Sequence, residues 1–196
     1  MKNGNAREKI VDAFGKLLIE RPLERISVKE VYHVAGVSKS AFYYYFHDME
    51  DLEDAVIDLF LEDWEESIVE LSRAGDSKSI PVDIPALARK QYAVFFENKG
   101  LFTALMLSPI KYRFCEKFVR VVQDRLNRID TIVVEEDGTS RRLSRDERRF
   151  FLMGLGWRGI GWLQFLVDSS FDYTLDEFVE MMMTDCYLVN RYFARR

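Results

Sequence analysis

The chain has 196 residues and a formal net charge of −5, with 48 % hydrophobic and 31 % charged side chains. This composition excludes a disordered chain and predicts one medium-sized domain, or a small domain joined to a larger one. Glycine and proline are sparse, at 10 and 4 residues, which favours helices over a fold with many turns.

Charge is distributed unevenly along the sequence. Residues 1–50 contain eight lysines and arginines and seven acidic residues, a net charge of +1, so the remaining residues carry −6. A near-neutral N-terminal region permits contact with nucleic acid. The sequence begins with polar residues, and no uninterrupted apolar run has the length of a membrane span. We therefore expect a cytoplasmic protein without a membrane partner.

The N-terminal region predicts a helix followed by a helix-turn-helix. Apolar residues at helical spacing indicate a first helix over 6–20. Ser27 and Glu30 match a capping box that opens a second helix over 28–35. Gly36 supplies the left-handed conformation that ends this helix, and Ser38 caps a third helix over 39–46. Two short helices joined by such a turn are typical of DNA-binding domains.

The rest of the chain also predicts helices. A long helix begins near Glu50, and residues 74–85 interrupt the helical pattern. A polar segment at 135–144 predicts a loop, and the sequence has no hairpin signal beyond the Asn3-Gly4 dipeptide at its start. A second capping box at Ser144 and Glu147 opens the next helix. Beyond residue 85 we expect helices over 86–98, 101–107, 111–132, 145–167 and 175–193.

The N-terminal region resembles the TetR family of bacterial transcription regulators. The resemblance covers about residues 6–55 and rests on the segments ISVKEV (26–31), AGVSKSAFYYYF (35–46) and EDL (50–52). It implies an all-α fold, with an N-terminal three-helix helix-turn-helix head at residues 1–47. It also implies a C-terminal helical-bundle body at 48–196 that binds ligand and forms a homodimer.

The head carries the candidate DNA-binding residues. Lys39, Ser40 and Ala41 lie at the start of the third helix, from which side chains reach base edges in the major groove. Polar side chains elsewhere in the head are candidates for phosphate contacts, which position a protein without reading sequence. They are Ser27, Lys29, Ser38, Tyr43, Tyr44, Tyr45 and His47. Burial in the core is an equal alternative for Tyr43 and for Tyr45.

Two positions depart from the family pattern. Met49 stands where the family usually has a lysine that meets a phosphate, and Tyr32 stands where a small alanine is common. Loss of one phosphate contact reduces the salt dependence of binding by about one unit in slope. His47 and Lys39 are candidate substitutes for the missing lysine.

Aromatic and methionine side chains of the body are candidates for an apolar ligand pocket, with ordinary core packing as the alternative. They are Trp64, Phe95, Phe96, Phe102, Met106, Phe114, Phe118 and Trp157. Residues 150–163 are apolar on nearly all sides and include four glycines, so both helix faces need burial. The candidates for a homodimer interface are Phe151, Gly154, Leu155, Arg158, Trp162, Phe178, Met182 and Cys186. A buried monomer core is the alternative.

These features predict a sequence-specific transcriptional regulator. By the family's usual mode it is a repressor, which a small-molecule effector of unknown identity releases from a pseudo-palindromic, double-stranded DNA operator. The alternative is an effector-independent architectural or cell-cycle protein with the same head. The sequence contains no HExxH, P-loop or nucleophile elbow, so we do not expect the protein to be an enzyme. Two distant cysteines and two histidines match no metal site, and we expect no metal, cofactor or disulfide.

Overall fold

The computed structural model describes residues 5–75, 84–126, 132–134 and 140–193. Helices make up nearly all of this part of the chain, which confirms the predicted all-α class. The helices are α1 (Ala6–Glu20), α2 (Val28–Val34), α3 (Lys39–Tyr45), α4 (Met49–Gly75), α5 (Ile84–Glu97), α6 (Lys99–Leu107), α7 (Lys111–Leu126), α8 (Arg145–Asp168) and α9 (Leu175–Phe193). Two short antiparallel strands, β1 (Ile132–Val134) and β2 (Ser140–Arg142), pair Ile132 with Arg142.

Local interactions set the ends of the first helices. The Asn5 side chain accepts a hydrogen bond from the Glu8 amide at 3.0 Å and so caps α1. Arg21 is extended, as expected of a residue that precedes proline, and ends α1 at the predicted position. Helices α2 and α3 each end one residue earlier than predicted.

Two predictions between α7 and α8 are wrong. Helix α7 is described as far as Leu126, and residue 132, which was predicted to be helical, begins β1. Strand β2 occupies Ser140–Arg142 within the predicted loop. A short run of isoleucine and valine suits a strand better than a helix, and helical periodicity does not separate the two over so few residues.

The interruption predicted at residues 74–85 falls mostly on residues 76–83, which are outside the described residues. Helix α4 continues to Gly75, and α5 begins at Ile84, two residues earlier than predicted. Pro85 therefore lies in the first turn of α5, where its missing amide hydrogen costs no helical hydrogen bond.

The described chain forms two compact units. The first comprises the residues up to Glu62 together with Asn98–Phe114. Its core is made of apolar side chains from α1, α2, α3, α4 and α6, and helix α6 packs against α1. The functional boundary at residue 47 stays a prediction, because these units follow packing and not function.

The second compact unit comprises the described residues of 63–97 and 115–196. Helix α5 packs against α9 in this unit, and Tyr92 contacts Phe178 with ring centroids 5.1 Å apart. Cys115 is buried and forms no disulfide within the described residues. The side chain of Cys186 lies outside the described residues.

Helix α8 has two apolar faces in different surroundings. A Cβ added at Gly156 would lie 3.1 Å from Val119, and one at Gly159 would lie 3.0 Å from Phe118. These glycines permit close approach to α7. A Cβ at Gly154 or Gly161 would meet nothing within 4 Å, so the opposite face is open within the described chain.

The sequence of α8 also fits a membrane span and a dinucleotide-binding motif, but its place in the structure favours neither. By length and composition alone the helix is apolar enough to cross a membrane, as are many core helices of soluble proteins. Its segment Gly154–Gly159 also has the GxGxxG spacing of dinucleotide-binding loops. That motif requires a turn between a strand and a helix, whereas here it lies inside a helix.

Candidate nucleic-acid interface

The turn between α2 and α3 depends on Gly36. This glycine has a φ of 65°, in the left-handed region that side chains with a Cβ disfavour. The Ala35 amide donates to the Val31 carbonyl at 2.9 Å, and the Val37 amide donates to the Tyr32 carbonyl at 3.0 Å. The turn therefore satisfies the carbonyl groups at the end of α2, as the sequence predicts.

Two buried phenylalanines hold α3 in place. Phe42 and Phe46 are buried, with ring centroids 5.8 Å apart. At the other end of the helix, the Ser38 hydroxyl accepts a hydrogen bond from the Ala41 amide at 3.1 Å. The cap and the two buried rings thus hold α3 in place while its start stays exposed.

The candidate base-reading residues lie on this exposed start. Lys39 and Ser40 are exposed, and Ala41 is half-buried. The Lys39 ammonium lies 5.8 Å from the centre of the Tyr43 ring, within range of a cation–π contact. Tyr43 therefore positions the flexible lysine side chain near the helix surface.

All three tyrosines of α3 lie on the surface. The exposed fractions are 47 % for Tyr43, 81 % for Tyr44 and 37 % for Tyr45. Tyr44 and Tyr45 pack edge to face, with ring centroids 4.9 Å apart. The structure thus rejects the alternative that Tyr43 or Tyr45 belongs to the core.

A carboxylate occupies the N-terminus of α2. The Ser27 amide and hydroxyl donate to Glu30 Oε2 at 3.0 and 2.9 Å, and Arg21 donates to Glu30 Oε1 at 2.9 Å. The hydrogen bonds from Ser27 hold the pKa of Glu30 below its ordinary value. A phosphate at Ser27 would have to displace or tolerate this charge, whereas the nearby Lys29 is exposed.

The start of α4 is acidic. Met49 is half-buried, and Glu50 and Asp51 lie in the first turn. The His47 amide donates to Asp51 Oδ2 at 3.0 Å, so this residue is tied to α4 through its backbone while remaining exposed. In the described structure the first turn of α4 therefore has no basic side chain at the position of the usual lysine.

An ion cluster that the sequence did not suggest joins α4 to the first turn of α7. The Arg113 guanidinium donates to Asp54 at 3.2 Å, to Glu50 at 3.4 Å and also to Glu53. Burial raises the pKa of Glu53, and Arg113 partly opposes this effect. Residues about 60 positions apart give no local sequence signal, so only the fold brings them together.

The predicted pocket residues lie in both compact units. In the first unit, Phe102 and Phe114 are buried with ring centroids 5.7 Å apart, and Met106 is buried. In the second, Trp64 stacks on Phe118 with centroids 4.3 Å apart.

The other three predicted pocket residues also belong to the second unit. Phe95 is buried and packs against Trp64 with ring centroids 6.2 Å apart. Phe96 is half-buried and contacts Phe171. Trp157, in contrast, is 51 % exposed on α8.

The predicted dimer residues divide between surface and core. Phe151 and Gly154 are exposed, and Leu155, Arg158 and Trp162 are half-buried. The Trp162 indole donates to Asp185 at 3.1 Å. Phe178 and Met182 are buried in the second unit, and the side chain of Cys186 is outside the described residues. The exposed face of α8 adds two side chains that were not predicted, Phe150 and Phe165.

Helices α2 and α3, joined through Gly36, form a helix-turn-helix, the arrangement typical of DNA-binding domains. Residues 10–56 match the family described as bacterial regulatory proteins, tetR family. The sequence matches none of the curated proteins with which it was compared.

Solved structures share the fold along most of the chain. The dihydroxyacetone kinase operon activator DhaS is 16 % identical, with a TM-score of 0.61, and the match covers 92 % of this chain and 93 % of that one. A transcriptional regulator from Aquifex aeolicus is 19 % identical, with a TM-score of 0.57 and coverages of 94 % and 99 %. For the fatty acid degradation regulator FadR from Bacillus halodurans these values are 17 %, 0.57, 92 % and 93 %.

The N-terminal residues thus match the TetR family, and the solved structures share the fold along most of the chain. Members of this family bind DNA operators, usually as dimers, and bind small-molecule effectors. They are generally not enzymes.

Proposed function

We propose that the chain is a sequence-specific transcriptional regulator that reads DNA with the start of α3. The observation that carries the proposal is the exposed start of α3, held by the buried Phe42 and Phe46. Lys39 donates to guanine acceptors, Ser40 hydrogen-bonds to base edges, and the Ala41 methyl contacts a thymine methyl.

Phosphate contacts orient the head on the duplex. The hydroxyls of Tyr43, Tyr44 and Tyr45 donate to phosphate oxygens, and Lys29 supplies a further positive charge. Ser27 and Ser38 act first as helix caps, which their hydrogen bonds support. His47 takes the place of the usual lysine near the start of α4, where Met49 offers no charge.

Two heads act together in a homodimer. The exposed face of α8 supports this proposal, since Phe150 and Trp157 are 74 % and 51 % exposed and open glycines allow a partner helix to approach. An exposed apolar patch of this kind marks an interaction surface. Two-fold symmetry then matches a pseudo-palindromic operator whose half-sites lie about 34–36 Å apart.

An effector bound in the body, residues 48–196, releases the protein from DNA and relieves repression. The effector needs only to bind the non-DNA-binding conformation more tightly than the DNA-binding one. The aromatic residues of the body support an apolar effector, and the head, residues 1–47, responds to it. The regulator acts in the cytoplasm, where its operator lies.

The packing of the predicted pocket residues favours a second candidate. Trp64 stacks on Phe118, and Phe102 packs at a tilt against Phe114. These rings fill the space between them. A core already filled in this way suits a DNA-binding protein that needs no effector. Screening the purified protein with metabolites for a rise in melting temperature separates the two candidates.

A binding selection from random DNA duplexes, at one stated salt concentration, tests the main proposal. We expect a motif with two related half-sites. K39A lowers affinity about tenfold or more and relaxes preference at one base pair of each half-site. K16A removes an exposed lysine of α1 and serves as the control with little expected change. Recovery of no motif, or equal losses for both variants, would contradict the proposal.

A further inference from the structure

A basic cavity lies between α7 and the first turns of α8, within the second compact unit. Its volume is about 400 Å³, which falls in the range of about 300–1,000 Å³ found for small-molecule sites. Three arginines of α8, Arg145, Arg148 and Arg149, form one side of it. The cavity therefore concentrates positive charge in a protein whose net charge is −5.

The arginines occupy an unusual position on their helix. Residues three or four apart share a helix face, so Arg145, Arg148 and Arg149 continue the stripe that contains Leu152 and Gly156. Leu152 is buried, and Gly156 packs against α7. In the first turns of α8, this stripe therefore carries arginine side chains that line a cavity instead of apolar core residues. Of these groups, Arg145 and Arg149 need an anion or water as a partner.

Arg145 and Arg149 are exposed at the cavity. Neither Arg145 nor Arg149 forms a hydrogen bond or ion pair with any residue that the structure describes. The nearby Glu147 is already engaged, since Arg141 donates to both of its oxygens at 2.8 and 3.0 Å. The Ser144 amide also donates to Glu147, at 2.9 Å.

Polar groups on the other walls limit the kind of anion. Asp124 and Asp146 contribute two carboxylates, and Gln123 contributes an amide. With three arginines, the walls carry a net charge of +1. A bare polyanion would meet the carboxylates unfavourably, whereas a ligand that carries both an anion and hydrogen-bond donors would satisfy both kinds of wall.

We propose that this cavity binds a small phosphate ester that also carries hydroxyl groups. The arginine guanidinium is planar, and its paired N–H donors match two phosphate oxygens. Asp124 accepts hydrogen bonds from the ligand's hydroxyl groups, and Gln123 donates to or accepts from them. The site is separate from the DNA-reading residues, so its occupancy is measurable whether or not the chain recognises an operator.

Isothermal titration of the full chain tests this proposal at constant ionic strength, because salt screens exposed charges. The probes are glucose 6-phosphate, inorganic phosphate and glucose. We expect glucose 6-phosphate to bind, inorganic phosphate to bind more weakly and glucose not to bind. R145Q and R149Q each weaken the binding of glucose 6-phosphate about tenfold or more. R120Q removes an exposed arginine of α7 outside the cavity and leaves binding unchanged.

Three results would overturn the proposal. The first is the absence of binding by both phosphate probes at millimolar concentration. The second is equal weakening by R120Q, which would indicate general charge attraction. The third is that a random DNA duplex displaces glucose 6-phosphate and that R149Q abolishes binding of this duplex. That result would indicate a nucleic-acid surface. If R145Q fails to fold by circular dichroism, R149Q and R149K decide the outcome, with R149K retaining more affinity.

Discussion

Replacing Gly36 with alanine tests the turn on which the DNA-reading helix depends. A Cβ at this position meets nothing within 4 Å, so the substitution creates no clash. The cost comes from the backbone alone, because φ is 65°. A left-handed conformation costs a residue with a Cβ about 1–2 kcal/mol. Alanine also lowers the conformational entropy of the unfolded chain, which offsets about 0.4–1 kcal/mol of this backbone cost. We expect G36A to destabilise the protein by about 1 kcal/mol.

Gly15 provides the matched control. It lies inside α1, and an added Cβ would make ordinary contact with Leu101 at 3.7 Å. Alanine is favoured over glycine inside a helix by about 0.5–1 kcal/mol, so G15A is expected to stabilise the protein. The two substitutions add the same methyl group to the same compact unit, and their effects have opposite signs.

Urea unfolding followed by circular dichroism measures both effects. Protein concentration must be equal throughout, because the stability of a dimer depends on it. With a slope of about 2 kcal/mol/M, G36A lowers the urea midpoint by about 0.5 M. A midpoint for G36A at or above that of the wild type would refute a left-handed Gly36. Equal losses in G36A and G15A would show that conformation is not the cause.

Three further predictions concern association, pH and the ion cluster. W157E, on the exposed face of α8, is expected to yield a monomer by light scattering, whereas Y112E, at an exposed tyrosine elsewhere, should leave the dimer intact. Hydrogen bonds, above all from Arg141, lower the pKa of Glu147 to about 2 from an ordinary value of 4.5. Its stabilising effect is present above pH 4.5 and lost as pH falls toward 2, so melting temperatures of E147Q and wild type should converge over that range. R113M should destabilise the protein at pH 7 by about 2 kcal/mol, discounted for the exposure of Arg113. Because burial raises the pKa of Glu53, R113M should regain stability as pH falls toward 4.5, and R113K should show a smaller loss at pH 7.

The helix-turn-helix was predictable because its signals are local. The Ser27–Glu30 capping box, the left-handed Gly36 and the Ser38 cap each act within four residues, and the structure contains all of them. The same capping box also bears on function. Ser27 stays a predicted phosphate contact, and the cap places the Glu30 carboxylate within hydrogen-bonding distance of it.

Long-range features could not be predicted in this way. Arg113 reaches three acidic residues of α4 because the fold brings distant parts of the chain together, and no spacing in the sequence encodes that contact. The strand Ile132–Val134 was missed for a different reason. Its apolar residues continue the helical pattern of α7, and the sequence between α7 and this strand contains no proline or glycine.

The sequence alone does not show which face of α8 packs inside its own subunit. Periodicity locates a buried face when the opposite face is polar, and α8 is apolar on both. The glycines resolve the ambiguity only in three dimensions. A Cβ at Gly156 or Gly159 would lie 3.1 or 3.0 Å from Val119 or Phe118, so these neighbours would have to shift. Gly154 and Gly161 have no such neighbour in the described chain, although each weakens the helix by about 0.5–1 kcal/mol relative to alanine. The first pair therefore serves the fold of the subunit, and the second pair supports the homodimer that we propose.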